Sequence, residues 1–189
     1  MSLQDCISYI TFAREELLRQ IEGLSEESLA NTPVVVEPPP GGPTAAAGDE
    51  GRPGWYLTQD IAEIFKTRDM TVKDILAHIA AWEVRMAEIV PLMLADRADE
   101  IPAVEVAVFT RKAIAERRTR SCAEILVELD VARSTLLEIL TAAGDMAVAK
   151  RRTRGGRTFT IQSYLVDVMA EHDRIHAQQI QLWREANGL

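Results

Sequence analysis

The 189-residue chain is poor in the residues that mark several specialised classes of protein. It has only two cysteines, Cys6 and Cys122, which form no CxxC motif, so we expect two buried free thiols rather than a disulfide framework. The alternative is that one of them is a reactive thiol. No stretch approaches the roughly 20 apolar residues that span a bilayer. The N-terminal stretch MSLQDCISYI lacks the basic and apolar segments of a signal peptide. We therefore expect a cytoplasmic protein that does not bind a membrane.

Basic residues are also in the minority. The chain has 21 Lys and Arg against 29 Asp and Glu, which gives a net charge of −8. A nucleic-acid-binding protein needs a basic surface, so no nucleic-acid partner is expected. Apolar residues make up 47% of the chain and charged residues 26%, which is ordinary for a globular protein. The length predicts a single domain over residues 1–189.

Proline and glycine are concentrated in one stretch, residues 38–43, with the sequence PPPGGP. Both residue types disfavour regular structure, so residues 32–56 are predicted to form a long irregular insertion. Long loops of this kind are often functional, and a lid over a pocket is one interpretation. The other is a tolerated surface insertion. Within it, residues 34–36 are expected to form a short strand or to pack on the domain, and Trp55 and Tyr56 to anchor its far end.

Elsewhere, apolar residues recur at intervals of three and four, which predicts amphipathic helices. Ser, Thr and Asp in capping positions and Gly near the ends mark several boundaries. The predicted long helices cover residues 3–23, 71–95, 121–144 and 160–188, with a shorter helix at 103–120. Four long helices with little strand signal indicate an all-α four-helix bundle, with the Pro/Gly-rich insertion between its first and second helices.

Histidine is scarce as well, because the chain has only three. His172 and His176 are four residues apart, so they lie one turn apart on the apolar stripe of the last helix. His78 lies at the edge of the apolar stripe of the second long helix. Histidines on facing helices are how bundles hold metal ions. The alternative is that they are core residues, each with one nitrogen satisfied by a hydrogen bond.

Three histidines do not select one metal, because imidazole binds zinc, nickel, iron and copper. They do leave a coordination position open, as in catalytic sites, where a metal can activate water, bind a thiolate or polarise a carbonyl. Asp173 and Glu83 are the candidate catalytic residues, as proton-transfer groups close in sequence to a histidine, and Glu171 is a further candidate. The alternative is that these carboxylates are solvated surface groups.

Residues 150–157 form the one basic cluster, with the sequence KRRTRGGR. Its two glycines predict a loop or hairpin between the third and fourth long helices. Arginine suits planar anions, so Arg154 and Arg157 are candidates for binding a phosphate or carboxylate of a substrate or cofactor. The alternative is a solvated run of charge.

Two segments that carry the histidines resemble a known family. The stretch TVKDILAHIAAWE, residues 71–83, resembles the second-helix signature of the DinB/YfiT-like superfamily, and EHDRIHAQQI, residues 171–180, resembles its last-helix signature. Residues 111–130 are similar to its ClbS/DfsB-type branch. The resemblance implies an up-down-down-up bundle, often dimeric. It also implies a divalent metal held by one histidine of the second helix and an HxxxH pair of the last, which here are His78, His172 and His176.

The same resemblance implies thiol-dependent transferases and isomerases, or a hydrolase that confers resistance to a small molecule. We therefore expect a homodimeric metal-dependent enzyme that acts on a small molecule, either a hydrolase or a thiol-dependent S-transferase. Zinc or nickel is the expected ion, with iron as a third candidate, and the transferase would also use a low-molecular-weight thiol. The alternatives are a non-catalytic protein that sequesters a small molecule and a structural bundle.

Overall fold

The computed structural model describes residues 1–34, 70–154 and 157–189, which form a mostly helical protein. Its helices are α1 (Leu3–Ile21), α2 (Glu26–Asn31), α3 (Val72–Leu94), α4 (Val106–Arg117), α5 (Cys122–Ala149), α6 (Ile161–Leu165) and α7 (Glu171–Asn187). A 3-10 turn, Ala98–Glu100, follows α3, and a π-helical segment, Val166–Ala170, joins α6 to α7. One short antiparallel hairpin pairs β1 (Arg152–Arg154) with β2 (Arg157–Phe159). The predicted all-α class is confirmed.

Side chains cap the starts of α1, α3 and α5, and also the start of α6, which opens the last helical run. Ser2, Thr71, Ser121 and Thr160 each accept a hydrogen bond from the backbone N–H three residues later. The side chain of the residue three positions later also accepts a hydrogen bond from the backbone N–H of the capping residue. These reciprocal bonds satisfy backbone donors that a helix leaves free in its first turn. The starts predicted near residues 71, 121 and 160 are confirmed.

The predicted stop of the third long helix at Gly144 is confirmed, and a short helical extension follows it. Gly144 does leave the helical conformation, with φ 76° and ψ 168°, but α5 resumes and continues to Ala149. Two contacts favour the extension. The backbone N–H of Leu3, in the first turn of α1, donates to Asp145 Oδ1 at 2.6 Å. Val148 is fully buried in the core. The helix that begins at Cys122 therefore stops at this glycine, and the residues after it form a second short helical segment because they find partners of their own.

The long helices pack in two pairs, α3 along α5 and α1 along α7 with its π-helical segment. Their apolar residues form two clusters, to which all four helical runs contribute. The first apolar cluster includes Ile10, Met86, Leu136, Leu140 and Leu165. The second apolar cluster includes Leu17, Ile79, Leu129, Ile180 and Trp183. Each fully buried aliphatic side chain contributes about 1.5–3 kcal/mol to stability, so the two clusters are the main source of cohesion.

The predicted insertion over residues 32–56 lies largely outside the described residues, and so do Trp55 and Tyr56. Pro33 forms an antiparallel bridge with Thr71, and the N–H of Val34 donates to the carbonyl of Met70 at 2.7 Å. The side chain of Val34 is buried in the second apolar cluster. The two residues that flank residues 35–69 are therefore joined next to the start of α3.

Cys6 and Cys122 are free and buried, as the sequence predicted. Burial raises the pKa of the Cys6 thiol to about 11 and contributes most to raising that of Cys122 to about 12. Neither thiol is therefore reactive at neutral pH. Within the helices that the structure describes, none combines the length and the apolar character of a membrane-spanning segment.

Candidate metal centre

The three histidines that the sequence predicted as one site lie together. His78 comes from α3, and His172 and His176 come from α7. All three side chains are buried, with at most 5% of any of them exposed. The Nε2 atom of His172 lies 3.0 Å from Nε2 of His78 and 3.1 Å from Nε2 of His176. Three imidazole nitrogens therefore converge on one point between the two helices.

This donor set fits a divalent metal ion. Each histidine offers one ring nitrogen, and the three nitrogens lie within 4.8 Å of one another. Two nitrogens that bind the same tetrahedral zinc ion at about 2.0–2.1 Å are roughly 3.3 Å apart. The observed separations of 3.0 and 3.1 Å are close to that spacing. Small movements of the rings would therefore allow all three to bind one ion.

The histidines are also in the protonation state that a metal requires. Burial lowers the pKa of His176 to about 4, although its hydrogen bond to Gln179 opposes the shift. Burial, followed by the neighbouring His176, lowers the pKa of His78 well below its usual value. The pKa of His172 is lowered in the same way, by burial first and then by the other two histidines and Arg14. At neutral pH all three imidazoles are neutral, and a neutral imidazole is the form that binds metal.

Hydrogen bonds on the far side of two rings hold them in place. Nδ1 of His78 lies 3.0 Å from Oγ1 of Thr110, and Nδ1 of His176 lies 3.0 Å from Oε1 of Gln179. When Nδ1–H donates to an oxygen, the lone pair is on Nε2, which is the atom that faces the other histidines. Thr110 could not be predicted as a partner of His78, because it lies 32 residues away in the chain. Gln179, one turn after His176 on the same face, was predictable as a neighbour.

Two half-buried aromatic residues, Trp82 and Phe109, lie beside the histidines. Trp82 lies one turn after His78 on α3, with ring centroids 6.4 Å apart. Phe109, next to Thr110 on α4, packs on Trp82 with ring centroids 4.8 Å apart. The guanidinium of Arg85 lies 5.9 Å from the centroid of the Phe109 ring. Two partly exposed aromatic rings therefore border the histidines on one side.

The two candidate catalytic carboxylates are buried rather than solvated, but they face arginines. Glu83 and Asp173 are 3% and 1% exposed. Arg14 Nη2 donates to Oε1 of Glu83 at 2.7 Å and to Oδ1 of Asp173 at 2.9 Å. Arg133 donates to Oε2 of Glu83 and Oδ2 of Asp173, both at 3.0 Å. All four carboxylate oxygens thus accept hydrogen bonds, and a proton-transfer role for the two residues stays a prediction.

The roles of Arg14 and Arg133 were not predicted from the sequence. Both are buried on helices whose other inward residues are apolar. An arginine on an amphipathic helix is normally expected to be solvated, and the partners of these two arginines lie 40 to 159 residues away in the chain.

The third candidate catalytic carboxylate, Glu171, is half-buried and accepts a hydrogen bond from the Tyr9 hydroxyl at 2.6 Å.

The basic cluster forms the β1–β2 hairpin, so the predicted loop or hairpin is confirmed. Arg152, a buried member of the cluster, donates to the carbonyl of Met93 at 2.6 Å. Arg154 donates to the carbonyl of Ile101 at 2.6 Å. The side chain of Arg157 lies outside the described residues. The anion-binding role of Arg154 and Arg157 stays a prediction.

Two comparisons with known proteins found similarities that cover most of the chain. Residues 9–180 match the model of the DinB superfamily. The chain belongs to the DinB superfamily. The chain is also similar in structure to an uncharacterised protein from Escherichia coli UTI89, with a TM-score of 0.72 at 9% sequence identity. That similarity covers 100% of this chain and 95% of the other, and at this identity it shows a shared fold alone. No curated protein matches the sequence.

Proposed function

We propose that this member of the DinB superfamily is a metal-dependent enzyme that acts on a small molecule. The observation that carries the proposal is the convergence of three buried, neutral imidazole nitrogens from His78, His172 and His176. A purely structural site normally uses four protein ligands, whereas three leave a position for water or substrate. This favours a catalytic role over a structural one.

The histidines and the residues around them would have different roles in such a site. His78, His172 and His176 would hold a zinc, nickel or iron ion through Nε2, while Thr110 and Gln179 fix two of the rings. When bound, the ion would supply an activated water for hydrolysis, or bind the thiolate of a low-molecular-weight thiol for S-transfer. Trp82 and Phe109 would exclude water from one side and contact the apolar part of the substrate.

We further propose that the long helices form an up-down-down-up bundle. The order in which each helix meets the two apolar clusters supports this arrangement. α1 and the last helical run pass from the first cluster to the second, whereas α3 and α5 pass from the second to the first. The residues that mark this order are Ile10 then Leu17, Ile79 then Met86, Leu129 then Leu136, and Leu165 then Trp183. The homodimer implied by the family resemblance also stays a proposal, which sedimentation velocity tests.

The experiment that tests the function measures turnover of a panel of ester, lactone and epoxide electrophiles by protein loaded with zinc or nickel. Each substrate is assayed with and without added low-molecular-weight thiol. A hydrolase works equally well without thiol, and a transferase requires it. His176→Ala should abolish turnover, while Gln178→Ala, on the exposed face of the same helix, should leave it unchanged. Turnover that persists in His176→Ala would contradict the proposal.

The aromatic pair also supports a second candidate function, a non-catalytic protein that sequesters a small molecule. Trp82 and Phe109 offer a binding surface whether or not the histidines hold a metal. In this case a ligand found by thermal-shift screening should stabilise the His78→Ala variant as much as the parent protein. Loss of that stabilisation in His78→Ala would count against sequestration and in favour of the metal-dependent enzyme.

A further inference from the structure

Four buried charged residues form a closed network in the core. Arg14, Glu83, Arg133 and Asp173 come from α1, α3, α5 and α7 respectively, and each side chain is at most 10% exposed. Each arginine contacts both carboxylates, and each carboxylate contacts both arginines. Arg133 also donates from Nη1 to the carbonyl of Ile10 at 2.8 Å. We call these four residues the charged layer.

The charged layer lies between the two apolar clusters of the core. On each helical run, its residue falls between a member of the first apolar cluster and a member of the second. The flanking residues are Ile10 and Leu17 around Arg14, Ile79 and Met86 around Glu83, Leu129 and Leu136 around Arg133, and Ala170 and Ala177 around Asp173. Four charges therefore occupy a level of the core at which apolar side chains would be expected.

The layer connects the two helix pairs at the level of the histidines. α3 and α5 carry Glu83 and Arg133, and α1 and α7 carry Arg14 and Asp173. Arg14 reaches across to Glu83 at 2.7 Å, and Arg133 reaches across to Asp173 at 3.0 Å. The candidate metal centre spans the same division, because His78 lies on α3 and the other two histidines lie on α7. Asp173 directly follows His172 in the chain.

Stability alone is a poor reason for such a layer. Removing two carboxylates and two guanidinium groups from water carries a large desolvation penalty, and well-packed apolar side chains of similar size are often at least as stabilising. Directional contacts are what apolar side chains cannot supply. Each planar guanidinium donates in fixed directions to two carboxylates, which fixes how far apart the two helix pairs lie and how α3 and α7 are rotated.

We propose that the charged layer is a positioning device for the metal centre. By fixing α7 relative to α3, it sets the separation between His78 and the pair formed by His172 and His176. Glu83 and Asp173 are therefore positioning residues that act through the histidines. The inference rests on the proposed function, since it requires that the three histidines bind a metal ion.

The experiment measures binding of Co²⁺ to the full-length protein, both as affinity and as the visible absorption spectrum of the bound ion. Asp173→Asn and Glu83→Gln keep the shape of each side chain and remove its charge. We expect both variants to bind Co²⁺ about 10-fold to 100-fold more weakly, the range found for groups that orient metal ligands. We also expect the absorption spectrum of the bound ion to change, because the coordination geometry changes.

Leu136→Ala is the matched control for lost stability. Leu136 is fully buried one turn after Arg133 on α5 and carries no charge. The Leu136→Ala variant should unfold at a lower urea concentration than the parent, as the carboxylate variants do. It should still bind Co²⁺ with the affinity and the absorption spectrum of the parent. If Asp173→Asn does not fold, Arg14→Lys replaces it. A lysine keeps the charge but cannot contact two carboxylates through a planar fork, so the same loss of affinity is expected.

Three results would contradict these claims, and they can be told apart. If the parent protein binds Co²⁺ and the folded charged-layer variants bind it with the same affinity and spectrum, the positioning role is wrong while the metal site stands. If the Leu136→Ala control loses affinity as much as they do, the effect is general destabilisation, and the positioning role is again wrong. If the parent protein itself binds no Co²⁺, the proposed function fails, and the inference fails with it.

Discussion

Lowering the pH from 7.5 to 5.5 should destabilise the metal-free protein strongly, because its three histidines are buried in their neutral form. In the unfolded chain a histidine has a pKa of about 6.5. Burial lowers the pKa of His176 to about 4 in the folded protein, and the pKa values of His78 and His172 also lie well below the usual value. Below pH 6.5 the unfolded state therefore binds more protons than the folded state, and protonation favours unfolding.

The magnitude follows from the linkage between proton binding and folding. The neutral histidines make their full contribution to the free energy of unfolding above pH 6.5. This contribution is lost as the pH falls from there towards the pKa of the folded state, which for His176 is about 4. Each pH unit in this window costs about 1.4 kcal/mol for every histidine that stays neutral when folded. At pH 5.5 the three histidines together should lower the free energy of unfolding by about 4 kcal/mol. A typical domain has only about 5–15 kcal/mol in total, so the effect should be large.

Urea unfolding of the metal-free protein at pH 7.5 and 5.5, followed by circular dichroism, measures this difference. The chain has only three histidines, and carboxylates with ordinary pKa values near 4 titrate mostly below this window. Burial raises the pKa of the Asp173 carboxyl, and its protonation in the folded protein would oppose the effect of the histidines, so a histidine variant is needed to isolate their contribution. In His176→Gln, which cannot titrate, the loss between the two pH values should be about one third smaller. Equal stability at both pH values would refute the reasoning, because it would mean that the histidines protonate in the folded protein as easily as in the unfolded chain.

Three further predictions concern single side chains. Gln179→Ala removes the oxygen that contacts Nδ1 of His176, so the metal dissociation constant in competition with a chelator should rise about 10-fold to 100-fold. Gln178→Ala is its control, and an equal effect of both variants would contradict a specific role for Gln179. Gly144→Ala should lower the free energy of urea unfolding by about 1–3 kcal/mol, because φ 76° with ψ 168° suits only glycine; unchanged stability would show that the break in α5 relaxes easily. Ser121→Ala should cost about 1 kcal/mol in the same assay, because α5 loses its cap, whereas Ser121→Thr should cost little.

Local features were predictable from the sequence because their partners are near in the chain. The capping residues Thr71 and Ser121 bond to atoms three residues away, and His172 and His176 share a face because the helical period is fixed. His78 lies at the edge of the apolar stripe of another helix. Because such stripes face the core, His78 was a candidate to join the pair formed by His172 and His176. The stop at Gly144 was predictable for the same reason, whereas the short helical segment after it was not, because its contact with Leu3 is distant in the chain.

The parts that could not be predicted depend on pairs that are distant in the chain. Arg14 contacts Asp173 across 159 residues, and Arg133 contacts Glu83 across 50. Nothing near any of these residues indicates a buried ion pair, so Asp173 and Glu83 were predicted from their closeness to histidines alone. Thr110 was missed for the same reason. A hydroxyl on an otherwise ordinary helix becomes a partner of His78 only when α4 packs against α3.

The measurement that tests the central claim most directly is the metal content of the protein, determined by elemental analysis after purification without a histidine tag. The parent protein should carry about one divalent ion per chain, and His172→Ala should carry almost none, because a three-histidine site loses its shared central ligand. Gln178→Ala should match the parent. Absence of metal in the parent, persisting after incubation with zinc, nickel and iron, would contradict the account and leave the three histidines as core residues.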